Sequence, residues 1–382
     1  MKQVYLDNAA TTPLREEVIA RMHDALRECF GNPSSTHAFG RTARTGIEKA
    51  RKTIARELNA QAGEIIFTSG GTEADNMLLR CAVRDLGVET LITSRIEHHA
   101  VLHTAEALRE EYGIRLEYVA LDRGGNPDLD ALEGLLAADS SRKLVSLMHV
   151  NNEIGNLLDL ETVGSLCRNY KALLHSDTVQ SIGHFAWDLQ RTPVDFLTAA
   201  AHKFHGPKGV GFAYIRKESG LKPLILGGSQ ERGFRAGTEA YHNIVGLETA
   251  FEEAYRHLEE EKTYITKLKA YFIEELKKAV PGVAFNGFSG DLEKSTYTLV
   301  NLRLPFDASK GQMLQFHLDL KGIACSKGSA CQSGSSGGSH VLSEILDDVA
   351  LAKPSLRFSF SRFNTREELD YVIGVLEEFA KS

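Results

Sequence analysis

From residue 64 onward the chain alternates between short apolar runs and longer amphipathic ones. EIIFTS (64–69), ETLITS (89–94), RLEYVAL (115–121), KLVSLMHV (143–150), ALLHSD (172–177) and DFLTAAA (195–201) read as strands. Between them, residues 72–86, 100–112, 128–138 and 159–170 carry apolar positions at helical spacing. Repeated strand–helix–strand units predict an α/β fold with a mostly parallel sheet covered by helices. Ligands bind such sheets at the carboxyl ends of the strands. Polar residues gather there: Thr68-Ser69-Gly70-Gly71-Thr72, Asn151-Asn152-Glu153, Asp177 to Gln180, and His202-Lys203.

The flanking segments follow other patterns. The first 15 residues read as an extended arm, followed by a helix at 15–29, a polar loop GNPSSTH (31–37) and an amphipathic helix at 40–58. A long charged helical stretch, 243–279, leads toward a second unit with strands near 297–302 and 356–361 and helices at 309–321 and 365–380. The expected division is a large unit at 16–257 and a small one formed by 1–15 and 258–382. The small unit contains SKGSACQSGSSGGSH (326–340), too rich in Ser and Gly to hold one conformation by its own side chains.

Composition narrows the class. The 382 residues exceed what one simple core fills. With 42% hydrophobic and 25% charged residues, the chain falls among ordinary globular proteins. The net charge of −7 is spread in mixed sign, which argues against nucleic acid or an anionic membrane surface as partner. No apolar run reaches the roughly 18 residues of a membrane span, and MKQVYLDNAATTP has no signal-peptide core. A cytoplasmic protein is expected. Five scattered cysteines (Cys29, Cys81, Cys167, Cys325, Cys331) form no C-x-x-C pair, so no metal or iron–sulfur site is expected on this chain alone.

Four residue groups carry candidate chemistry. In TAAAHKFHGPKGVGFAYI (198–215), Lys203 ends an apolar run just before a glycine- and proline-rich turn. A lysine so placed suits a Schiff-base amine, although a turn lysine would read the same way locally. GGTE (70–73) sits between a strand and a helix, where free N–H groups can cradle a phosphate, with Thr72 adding a hydroxyl. Asp177 ends the preceding strand, as a capping residue or as a carboxylate for a pyridinium nitrogen. Taken in order, phosphate cradle, Asp177 and Lys203 point to pyridoxal 5'-phosphate (PLP). Cys331 lies among Ser and Gly residues rather than apolar ones, and Lys327 is near in sequence, which suits a reactive thiol.

The motifs that carry a resemblance span nearly the whole chain: YLDNAATTP (5–13), GNPSSTH (31–37), FTSGGTEADN (67–76), EHHAV (97–101), MHVNNEIG (148–155), HSDTVQS (175–181), HKFHGPKG (202–209), GGSQERGFRAGT (227–238), GSAC (328–331) and LRFSFSRF (356–363). With them the chain resembles the cysteine desulfurases of the NifS/IscS type, which are fold-type I, class V aminotransferase-like PLP enzymes. The resemblance implies a seven-stranded sheet and sulfur removal from L-cysteine, giving alanine and a persulfide on Cys331. It implies that Lys203 carries PLP, that Asp177 pairs with the ring nitrogen and Gln180 with the ring hydroxyl. His98 would stack on the ring and serve in proton transfer. Gly71, Thr72 and His202 would hold the phosphate. Thr238 would reach the partner's phosphate in an obligate homodimer. Asn152 and Arg357 would fix the substrate carboxylate, with Asn8 assisting, and a sulfur acceptor such as an iron–sulfur scaffold would take the persulfide sulfur. A selenocysteine lyase, an aminotransferase or a non-catalytic relic on the same scaffold are the alternatives.

The chain also departs from the pattern. Ala200 stands where relatives carry a phosphate-binding Ser, Thr178 and Val179 replace Ala and Thr, and QSGSSGG after Cys331 lacks the usual apolar and acidic residues. Cys325 stands where an apolar residue is usual; it is expected in the core, with a second sulfur-accepting role as the alternative.

Overall fold

The computed structural model describes residues 2–327 and 338–381, so Cys331 and most of the Ser/Gly-rich run lie outside the described residues. The strands are β1 Val4–Tyr5, β2 Ile65–Thr68, β3 Thr90–Thr93, β4 Arg115–Tyr118, β5 Lys143–Ser146, β6 Leu173–Asp177, β7 Phe196–Ala200, β8 Gly211–Ile215, β9 Ala284–Phe285, β10 Leu299–Arg303, β11 Ile323–Ala324 and β12 Ser355–Ser359. The helices are α1 Glu16–Glu28, α2 Ala38–Glu57, α3 Gly71–Leu86, α4 His99–Tyr112, α5 Leu129–Ala137, α6 Leu160–Asn169, α7 Tyr241–Arg256, α8 Leu258–Ala279, α9 Ala308–Leu320, α10 His340–Ile345, α11 Asp348–Leu351 and α12 Arg366–Lys381.

Seven strands form one sheet in the order β2-β8-β7-β6-β5-β3-β4. The pairs among β3 to β7 are parallel, while β8 runs antiparallel to both β2 and β7. Every residue of β3, β5 and β7 is buried, as expected of strands covered by helices on both faces. A three-stranded antiparallel sheet, β12-β10-β9, organises the C-terminal part. The N-terminal arm belongs to it in space. β1 pairs in parallel with β11, and the Ser359 amide donates to the Leu6 carbonyl at 2.8 Å.

Several strands stop short of their apolar runs. The run at 143–150 leaves the ladder after Ser146, and Met148, Val150 and Asn152 line the cavity described below. The helical stretch at 243–279 is broken at His257, which ends α7 and begins α8. No glycine or proline marks that break. Packing places it: α7 lies on α1 and α2, whereas α8 lies on α12.

Candidate active site

Segments far apart in sequence surround one cavity of about 420 Å³, a usual size for a small-molecule site. The start of α3 supplies Gly71, Thr72 and Asp75. The end of β6 supplies Asp177, Val179 and Gln180, and the end of β7 supplies Ala200, His202 and Lys203. Ala9 and Ala10 of the arm, His98, Asn152 and Arg357 close the wall.

The α3 terminus is built for an anion. Gly70 precedes it with φ +150°, a conformation that favours glycine, and no side chain caps the helix. The first-turn N–H groups have no intrahelical acceptors, and the helix dipole favours negative charge there. A Cβ on Gly71 would come within 2.8 Å of Val179 Cγ2 and 3.9 Å of Ala200 Cβ, so glycine keeps the cradle open. His202 lies beside it, its Nδ1 3.2 Å from Thr11 Oγ1. Burial, reinforced by the charges of Lys203 and Lys208, pushes its pKa down to about 4, so the imidazole is neutral near pH 7.

Asp177 is 7% exposed, and its Oδ1 accepts the Val179 amide at 2.9 Å. Burial pushes its carboxyl up to about 6, with the neighbouring Asp75 acting in the same direction. The His98 Nδ1 accepts the Ala100 amide at 3.1 Å at the start of α4, which leaves Nε2 as the protonated nitrogen. Burial holds the His98 pKa below its ordinary value. The Lys203 Nζ donates to the carbonyls of Ala9 (2.6 Å) and Ala10 (2.8 Å), and Gln180 Nε2 donates to the same Ala9 carbonyl at 2.9 Å.

Arg357 comes from β12 and is 2% exposed. It donates through Nη1 to the Asn152 carbonyl at 2.7 Å, and through Nη2 to Asp7 Oδ1 at 2.9 Å and Ser326 Oγ at 3.2 Å. Its Nε is buried without a partner. Arg357 lines the cavity, and a guanidinium is the side chain whose geometry suits a carboxylate.

Two expected site residues stand apart. The Asn8 side chain donates to the Ser359 carbonyl (2.8 Å) and Asn364 Oδ1 (3.2 Å), and it is not part of the cavity wall. Thr238 lines a separate small cavity with Glu231 and Arg235. Cys325 packs against the C-terminal core, and burial pushes its thiol up to about 12, which is unfavourable for a thiolate. Sequence reasoning missed Asp7, Asp75 and the carbonyls of Ala9 and Ala10. Asp7 and Asp75 stood inside the motifs YLDNAATTP and FTSGGTEADN, which were the available signal.

The donor set fits PLP: an uncapped helix terminus for the phosphate, a buried carboxyl for the ring nitrogen and a lysine in the same cavity. The chain belongs to the class-V aminotransferase family, whose model matches residues 4–372. Within that family it is similar to a cysteine desulfurase IscS of Dictyoglomus turgidum, 44% identical over 98% of this chain and 94% of that protein. A putative cysteine desulfurase IscS 1 of Bacillus subtilis is 41% identical over 97% of this chain and 96% of that protein. Among solved structures, a NifS-like protein superposes with a TM-score of 0.91 at 36% identity, covering 100% of both chains. A NifS-like protein from Rickettsia africae does so with a TM-score of 0.87 at 29% identity, again over 100% of both.

Proposed function

We propose that this chain is a PLP-dependent cysteine desulfurase that takes the sulfur of L-cysteine onto Cys331 and releases L-alanine. The observation that carries the reading is the convergence of Lys203, Asp177, the α3 cradle and Arg357 on one cavity. PLP, when bound, supplies an electron sink that weakens the substrate's Cα–H and C–S bonds.

The chain's own groups have separate tasks. Gly71, Thr72 and His202 would hold the phosphate. Asp177 would keep the ring nitrogen protonated, and Gln180 would bond the ring hydroxyl. Lys203 would attach the cofactor through Nζ and then move a proton to and from the substrate Cα. His98 would lie against the ring, with its Nε2 proton available for transfer. Arg357 would orient the substrate carboxylate, and the Asn152 backbone bond steadies the guanidinium. Cys331 would attack the substrate sulfur and pass it to an acceptor, of which an iron–sulfur scaffold is one kind.

A homodimer completes the site in this reading. Thr238 would reach the partner's phosphate, and the exposed Leu26, Phe30, Phe39 and Leu226 supply apolar surface for association. The large unit at 16–257 would carry PLP, with 1–15 and 258–382 forming the small one. Among the described residues no helix is long and apolar enough to cross a membrane.

The decisive experiment incubates the purified protein with L-cysteine and a thiol reductant and measures alanine and sulfide. Stoichiometric release of both is expected; no alanine would overturn the reading. The Cys331→Ser variant should bind PLP normally and lose alanine turnover. Alanine turnover at the wild-type rate would instead remove Cys331 from the mechanism.

Ala200 lowers the number of phosphate donors. Ala200→Ser should restore a charge-assisted hydrogen bond worth roughly 1.5–3 kcal/mol. Titration of apoprotein with PLP should then show a dissociation constant about tenfold lower or better. An unchanged constant would mean that the remaining donors already satisfy the phosphate.

A further inference from the structure

Asp75 enters the cavity from the second turn of α3. It is 1% exposed, and its Oδ1 has no hydrogen-bond partner. That oxygen lies 3.4 Å from Nε2 of His175, which is itself fully buried. The His175 Nδ1 is 2.8 Å from Ser146 Oγ, and Nε2 is 3.3 Å from Thr198 Oγ1. One side-chain atom each of Asp75, His98 and Asp177 lie within 4.8 Å of one another. The site therefore holds a second buried carboxyl beside the one assigned to the ring nitrogen.

The groups facing Asp75 decide which carboxyl is charged. They are Asp177 and His175 from β6, Thr198 from β7, and Glu97 and His98 from the segment before α4; Lys203 shares the cavity. His175 is held down to about 4 by burial, and His98 is also lowered, so neither imidazole supplies a cation near pH 7. Glu97 is 1% exposed, and burial raises it well above the carboxylate range. Its Oε1 accepts from Ser94 Oγ and from the Met148 amide, both at 3.0 Å, while Oε2 is unpartnered. Two buried carboxylates this close strongly oppose each other's ionisation. Asp177 has a backbone amide donating to it, whereas Asp75 Oδ1 is unpartnered and the donor that favours its charged form is the Thr198 side chain.

We propose that Asp75 is a positioning residue that holds its proton up to about neutral pH and ionises above it, leaving Asp177 as the charged member of the pair below that point. The inference rests on the cavity being a PLP site. Burial places the Asp75 titration at about 7. When Asp75 loses its proton, a second negative charge enters the cavity, and the nitrogen that links Lys203 to the cofactor keeps its own proton to higher pH.

The test is a pH titration of the visible absorbance band of the Lys203-linked cofactor in holoenzyme. Asp75→Asn, a permanently neutral isostere, should bind PLP within about fivefold of wild type and titrate lower by at least about half a unit. Thr198→Val removes a hydrogen bond that favours the charged form of Asp75, so it should move the midpoint the same way. A merely structural Asp75 would change melting temperature and leave both midpoints at the wild-type value, and that result overturns the proposal. If Asp75→Asn does not fold, Thr198→Val alone decides it. A wild-type protein with no such band would defeat the functional reading itself, a separate and visible failure.

Discussion

Lys203→Ala is expected to remove the covalently attached cofactor and to lower alanine formation from L-cysteine by on the order of 10³-fold or more, since both nucleophilic attachment and proton transfer depend on that amine. The local structure explains why no neighbour replaces it. Nζ is held by the Ala9 and Ala10 carbonyls, from a segment more than 190 residues away in sequence. Among the residues lining this cavity, Lys203 is the only lysine. The phosphate cradle does not involve its amine, so the variant should still bind PLP without the covalent link. Absorbance spectroscopy with gel filtration in added PLP separates these outcomes. A variant that keeps the covalent band, or turnover within tenfold of wild type, would require another lysine as the attachment point.

The second large effect is at Arg357. Truncation of a buried guanidinium that binds a carboxylate typically costs about 2–5 kcal/mol, a loss of roughly 30- to 5,000-fold in kcat/KM. Arg357→Lys is the cleaner variant, because it keeps a cation opposite Asp7 and removes the fork that can grip a carboxylate while also holding Asn152 and Ser326. Its expected signature is a raised KM for L-cysteine with near-normal PLP affinity. Should PLP affinity fall while kcat/KM of the loaded enzyme holds, Arg357 is a strut between β12 and the arm rather than a substrate ligand.

Lys203 was legible from the sequence for a local reason, whereas Arg357 entered only through the family motifs. Lys203 and Asp177 mark the ends of apolar runs, and Gly70-Gly71-Thr72 marks a strand–helix junction, so their positions at the carboxyl ends of strands followed from periodicity. The motifs tied to the family then supplied the roles. Other features depended on partners remote in sequence. β8 follows the glycine- and proline-rich turn in TAAAHKFHGPKGVGFAYI, and only its pairing with β2 and β7 makes it antiparallel. The break at His257 has no helix-breaking residue and follows from two helices packing on different surfaces.

The site divides in the same way. Asn8 was implied by the arm motif to assist with the substrate carboxylate; the tertiary structure shows its Nδ2 donating to the Ser359 carbonyl and Asn364 Oδ1. Asp75 falls within the helical run at 72–86, and its burial beside His175 and Asp177 is visible only once α3 is laid on the sheet.

The sequence by itself determined the element types, the order of cradle, carboxylate and lysine, and the family, because periodicity and motif spacing are properties of neighbouring residues. The tertiary structure decided which carbonyls hold the lysine, which donor of Arg357 stays unused and which of two carboxyls faces the other. Those depend on contacts between segments up to 350 residues apart, and burial at such contacts changes charge and hydrogen bonding in ways that no local pattern encodes.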